Sequence, residues 1–151
     1  MLRLVLQRVK WARVEVENET VGAIENGLLV LVGATNGDTE RDSEILAERT
    51  VNLRIFEDDN DKMNLSLKDV GGEVLAVSQF TLYADTRKGR RPAFTHALEP
   101  IAAERLFEYY KDRVAAEGVR VESGVFGAKM AVELCNWGPV TIILDSEEKR
   151  K

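Results

Sequence analysis

Three short stretches hold the groups that could do chemistry. Ser78-Gln79-Phe80-Thr81 puts two hydroxyls and an amide within four residues, at the end of the apolar run Val74–Val77. Polar groups in an apolar layer cost about 1–3 kcal/mol each unless hydrogen-bonded. This strand end therefore either lines a pocket or turns its hydroxyls onto neighbouring backbone, and the residues alone leave both open. Arg87, Lys88, Arg90 and Arg91 place four positive charges in five positions of a loop marked by Gly89 and Pro92. Such a cluster suits an anion, phosphate above all for arginine's planar fork, or is simply a solvated loop. Gly138-Pro139 stands between two apolar segments, where it forms either an ordinary tight turn or a cis peptide, which is cheap only before proline.

Other familiar chemistry is missing. His96 is the only histidine, and its neighbours Thr95, Ala97 and Leu98 form no relay motif. The sequence has no HExxH, CxxC, Walker loop or GxGxxG, so neither a metal nor a nucleotide cofactor is expected. The acidic run Glu57–Asp61 has Met63 where a calcium loop starting at Asp58 needs glycine, and reads as a solvated turn. Cys135 is the single cysteine and falls in a strand, where packing is the expected role. Hydroxyls, backbone N–H groups and a Gly-Pro turn remain. They can stabilise an oxyanion, but they include no evident general base.

The elements that must position these groups follow from periodicity. Leu2, Leu4 and Leu6 alternate with Arg3, Val5 and Gln7 as a strand; Arg13–Val16 pairs plausibly with Val21–Ile24; and Gly27–Gly33, apolar throughout, reads as a central strand. Thr39 and Asp42 resemble a capping box opening a helix whose inner face carries Ile45, Leu46, Arg49, Thr50 and Leu53. Leu53–Phe56 reads as a strand. Pro100 starts a second helix, with Ala103, Leu106, Phe107, Tyr110 and Val114 on one face and Gly118 at its end. Val119–Glu122, Met130–Cys135 and Ile142–Leu144 read as closing strands, and 146–151 as a frayed tail. The expected fold is mixed α/β, one domain over 1–151, with a curved sheet and two helices packed on one side.

Composition narrows the class. At 151 residues, 44% hydrophobic and 31% charged, the chain can build a full-sized core. No apolar run approaches the ~20 residues of a membrane span. With no signal-like N-terminus and a lone cysteine, a reducing cytoplasm is expected. A net charge of −5 argues against broad nucleic-acid binding, though not against a local basic patch.

A resemblance goes further than these residues do. Gln7-Arg8-Val9, Gly27–Gly33, Lys62-Met63-Asn64-Leu65, Ser78-Gln79-Phe80-Thr81-Leu82, Arg91-Pro92 and Asn136-Trp137-Gly138-Pro139-Val140-Thr141 occur in the order found in D-aminoacyl-tRNA deacylases. The similarity covers nearly the whole chain, and Trp137 departs from the aspartate usual in that family. The resemblance implies a barrel-like, three-layer fold and a homodimer with active sites at the subunit interface. It implies hydrolysis of the ester joining a D-amino acid to the 3′-terminal adenosine of tRNA, and of glycine mischarged on alanine tRNA. Ser78, Gln79, Phe80 and Thr81 would form the catalytic wall, with backbone N–H groups near Phe80 and Thr81 as oxyanion donors. Gly138 and Pro139, joined by a cis bond, would act as a chiral filter, with Asn136, Thr141 and Met130 beside them at the substrate. Arg87, Lys88, Arg90 and Arg91 would meet the tRNA. The 2′-hydroxyl of the terminal ribose would activate water, with Thr81 as nucleophile the second choice. Two rival readings are a nucleic-acid-binding dimer that catalyses nothing and a purely structural dimer.

Overall fold

In the computed structural model, which describes residues 1–149, the fold is organised around one long strand. β1 (Arg3–Val16) pairs antiparallel with β3 (Gly27–Gly33) through its first half and with β2 (Glu19–Ile24) through its second. Along its other edge runs β8 (Ala131–Asp145). The ladder slips between Gln7 and Val9, between Val9 and Ala12, and between Val14 and Glu15. Such irregularities bend a strand and increase its twist. They carry β1 from one layer into the next, so the two strands expected at 2–7 and 13–16 are one.

β3 continues the sheet in parallel to β6 (Glu73–Ser78), and β6 to β7 (Val121–Ser123). Both central strands are buried on two faces, which explains their unbroken apolar sequence. Leu28, Val30, Val32, Val74 and Ala76 point to one core cluster, together with Leu4 and Leu6. Leu29, Leu75 and Val77 point to the other, beneath Val9, Ala12, Val14 and Ile24. The far edges nearly meet: the Ala23 N–H donates to Glu122 across from β2 to β7 at 3.3 Å. A Cβ on Gly22 would lie 2.6 Å from the Ser123 carbonyl, so this close approach requires glycine. The sheet is therefore a nearly closed barrel.

Helices α1 (Glu40–Asn52) and α3 (Pro100–Ala116) cover the first cluster. Asp42 accepts from the Thr39 N–H at 2.9 Å, as the capping signature requires. Thr50, a polar intrusion on the apolar stripe of α1, is accommodated by bonds to the Leu46 carbonyl at 2.7 Å and the Tyr110 hydroxyl at 2.8 Å. On α3 the buried residues Leu106, Phe107, Tyr110 and Val114 are those its spacing indicates. Truncating a buried leucine such as Leu106 to alanine would cost about 2–5 kcal/mol.

The structure corrects several local readings. The strand expected at Leu53–Phe56 is reduced to β4 (Phe56–Glu57), which pairs with β5 (Met63–Leu65). A third helix, the one-turn α2 (Leu67–Val70), is capped reciprocally by Ser66 and Asp69. The expected fraying at 146–151 fails at its start. Ser146 is fully buried, bonds Leu2 and Asp42, and opens a 3-10 turn over Ser146–Lys149. Residues 150 and 151 lie outside the described part. Among the described residues no helix is long and apolar enough to cross a membrane.

Candidate active site

The parallel pairing of β3 with β6 ends at Val32 and Ser78, and the Gln79 N–H still donates to the Val32 carbonyl at 2.8 Å. There the strand stops. Phe80–Tyr83 winds into a 3-10 turn, closed by Leu82 N–H to Gln79 at 3.2 Å and Ala84 N–H to Thr81 at 3.1 Å. Alternation of Phe80 and Leu82 imitates a continuing strand, which is why the sequence alone does not show the turn. The first N–H groups of any helix lack an intrahelical acceptor. Here those are the Phe80 and Thr81 amides, and among the described residues they donate to no protein acceptor.

Beside this turn opens a cavity of about 390 Å3 with a mainly apolar lining. Ser78 and Phe80 form one wall; Phe94, Leu98, Pro100 and Phe126 contribute the others. Phe80 is exposed and meets Phe94 edge to face, with ring centroids 5.0 Å apart. Glu99 also lines the cavity, but its carboxylate caps α3, accepting from Ala102 at 2.8 Å and Ile101 at 3.0 Å. The Thr81 hydroxyl accepts a hydrogen bond from the Gln79 amide, a group unable to take a proton from it. His96 faces Asp85 with Nε2 3.5 Å from the carboxylate, not Thr81.

The second site element is a bulge in β8. Val9 of β1 faces Asn136 and Gln7 faces Thr141, so a two-residue step on β1 spans five on β8. Residues 137–140 loop out of the ladder. Asn136 closes the neck of this loop: its Oδ1 accepts from Val140 N–H at 2.8 Å, and its Nδ2 donates to the Val140 carbonyl at 3.3 Å and Thr141 Oγ1 at 3.1 Å. Gly138-Pro139 is a cis peptide at the exposed tip. Val140 pins the bulge to the main core.

From beneath, Arg8 donates to the Trp137 carbonyl at 2.8 Å and the Ile55 carbonyl at 2.9 Å, and meets Glu57 at 3.4 Å. A guanidinium only 5% exposed needs such partners, because an unpaired buried charge is costly. By residue type alone Arg8 does not stand out as a site group. Its signal was nonetheless present, since the alternation of Leu2, Leu4 and Leu6 puts Arg8 on the inner face. Gly138 has φ +139°, and a Cβ there would lie 2.8 Å from Val140 Cγ2 and 3.0 Å from Arg8 Nη2. Trp137 is exposed, with Lys10 Nζ 3.9 Å from its ring centroid.

Within one chain these two elements do not form one cavity. Gly138, Pro139, Asn136 and Thr141 are absent from the lining beside Phe80, as is Met130. Met130 packs on the second core cluster, its sulfur filling the space over Gly124. The basic loop is also divided. Arg87 forks onto Asp85 at 2.8 and 2.9 Å and holds that carboxyl well below the usual carboxylate range. Lys88, Arg90 and Arg91 are exposed and, among the described residues, form no ion pair.

A free-amide turn beside an apolar cavity, with a Gly-Pro bulge on the same scaffold, is equipment suited to an acyl-transfer hydrolase. Comparison with known proteins gives the particular family. The family profile described as D-Tyr-tRNA(Tyr) deacylase matches residues 5–145. A D-aminoacyl-tRNA deacylase of Bacillus licheniformis is 60% identical over 146 residues, covering 97% of this chain and 99% of that one. One from Koribacter versatilis is 57% identical over 148 residues, covering 98% and 99%. Among solved structures, a c-Myc DNA unwinding element binding protein superposes with TM-score 0.88 at 37% identity, covering 95% and 97%. A probable eukaryotic D-amino acid tRNA deacylase, at 20% identity and TM-score 0.82, shares the fold over 95% and 98%. The chain belongs to the D-aminoacyl-tRNA deacylase family, hydrolases of the aminoacyl-tRNA ester bond.

Proposed function

We propose that this protein removes D-amino acids, and glycine, from tRNA as a homodimer whose active sites combine the Phe80–Tyr83 turn of one subunit with the Gly138-Pro139 bulge of the other. The observation that carries this reading is that the bulge does not line the cavity beside Phe80 within one chain, while Phe80 and Thr81 on one element and Gly138 and Pro139 on the other are exposed. The outer edge of β8 supports it. Among the described residues no strand pairs with that edge, and Trp137 and Ile143 leave it half or more exposed, at 50% and 61%. An unpaired edge bearing large apolar groups is a natural docking surface.

In this reading the terminal adenosine enters the cavity beside Phe80, and the ester carbonyl faces the Phe80 and Thr81 amides. Attack by water places negative charge on that oxygen, where two preorganised N–H donors stabilise it. Water is activated by the 2′-hydroxyl of the terminal ribose. Thr81 as nucleophile is the weaker alternative, because its hydroxyl has a donor beside it rather than a base. The carbonyls of the bulge stand against the direction an L-side chain would take. A D-side chain points away, and glycine has nothing to exclude.

Lys88, Arg90 and Arg91 are the cations available to phosphates. The protein named for DNA-element binding, 37% identical, supports a second reading in which nucleic acid is bound without hydrolysis. Incubation with D-tyrosyl-tRNA and L-tyrosyl-tRNA separates the two. Loss of the D-ester alone is expected; binding with both esters intact would favour the second reading.

A further inference from the structure

The turn that carries Phe80 and Thr81 has no fully buried residue; half-buried Leu82 lies over Gly33, and polar contacts supply the rest of the hold. We propose that Arg3 fixes the turn's orientation, as a positioning residue for ester hydrolysis. Arg3 Nε and Nη2 fork onto the Asp145 carboxylate at 2.8 and 3.4 Å, and Nη1 donates to the Leu82 carbonyl at 3.4 Å. The centre of the guanidinium lies 5.0 Å from the centroid of the Tyr83 ring. Asp145 is buried at the end of β8 and paired across to Arg3 in the ladder, so the anchor is rigid. Tyr83 is further held by its phenol, which donates to the Met1 carbonyl, and burial pushes that phenol's pKa up.

Arg3 thus grips the second half of a four-residue turn whose first half presents the free amides. In so short a helix, a tilt of the Leu82 peptide is passed through very few dihedrals to the Phe80 and Thr81 N–H groups. Arginine suits this task because one planar fork can serve a carboxylate while a remaining N–H serves a carbonyl. A lysine ammonium is a point donor and cannot span both. The same side chain joins the turn to the strand that carries Gly138 and Pro139, which sets the two site elements of each subunit on a common frame.

This inference rests on the reading that the Phe80 and Thr81 amides face the ester, and its test keeps the two apart. Wild type, Arg3→Lys and Arg3→Met are compared in steady-state hydrolysis of D-tyrosyl-tRNA, each corrected for folded fraction by thermal unfolding. Removing one oxyanion donor or misplacing it by an ångström costs on the order of 100-fold, so kcat for Arg3→Met should fall roughly 10–100-fold with KM within about twofold. Arg3→Lys should fall between it and wild type. Should Arg3→Met not fold, Tyr83→Leu, which keeps the Arg3–Asp145 fork, should still lower kcat severalfold at unchanged KM. Unchanged kcat per folded molecule in the Arg3 variants, or a rise in KM alone, overturns the proposal. A wild type inactive on D-tyrosyl-tRNA overturns the functional reading instead.

Discussion

The turn at 78–83 and the bulge at 136–141 are built in opposite ways. The turn leaves its leading amides free, contains no buried residue and is tied at its far end by Arg3 to the Leu82 carbonyl and by the Tyr83 phenol to Met1. The bulge engages its backbone internally. Asn136 satisfies both polar groups of Val140, and buried Arg8 takes the Trp137 carbonyl while Val140 anchors in the core. A group that must bind developing charge needs unsatisfied donors; a group that must exclude one hand of a substrate needs a position that does not yield. On the proposed reading, the difference in construction matches a difference in task.

The sharpest way to break that contrast is to deform the rigid side. Gly138→Ala forces a side chain onto a backbone at φ +139° and into Val140 and Arg8. Hydrolysis of D-tyrosyl-tRNA should drop about 100-fold in kcat/KM, since a shift near 1 Å at a positioning element has that scale. Because the tip is exposed, circular dichroism should show a folded protein. Asn136→Ala is milder. It leaves the Val140 N–H without its acceptor, which should lower unfolding stability by about 1–3 kcal/mol, read by chemical denaturation. A bulge loosened this way should also begin to admit L-tyrosyl-tRNA.

The basic loop sharpens the picture at its edge. Neutralising Lys88, Arg90 and Arg91 together should weaken tRNA binding and reduce the slope of log affinity against log salt by about 2, at roughly 0.7 per cation for single strands. Arg87→Gln, whose partner is Asp85, should change that slope least of the four. Thr81→Ala should have the smallest effect of all. With the 2′-hydroxyl as activating group it should retain activity within about tenfold of wild type, a modest loss compared with that of a true nucleophile. Inactivity of folded, tRNA-binding Thr81→Ala would return the nucleophile role to Thr81.

How far the sequence reaches can be seen in particular residues. The Gly27–Gly33 run is a continuous apolar signal and the α3 face from Ala103 to Val114 a periodic one, and both elements form as read. The continuity of β1 and of β8 is not local. It depends on bulges where two strands lose register, and no spacing within either segment announces that. The site residues that stand out by type, Ser78–Thr81 and Gly138-Pro139, are visible as motifs. The residues that hold them, Arg3 and Arg8, look like ordinary charges in strands, because their partners Leu82, Asp145, Ile55 and Trp137 lie 47 to 142 positions away. The far wall of the cavity, from Phe94 to Phe126, is assembled by tertiary packing alone.

On the proposed reading the bulge excludes an L-side chain rather than gripping a D-side chain. One experiment reaches it directly: D-tyrosyl-, glycyl- and L-tyrosyl-tRNA are incubated in parallel with the protein, and each ester is followed over time. Steric exclusion predicts that the D-tyrosyl and glycyl esters are both cleared while the L-tyrosyl ester survives. Survival of freely accessible glycyl-tRNA at protein levels that clear D-tyrosyl-tRNA would contradict it, and the pocket would then have to recognise the D-side chain itself.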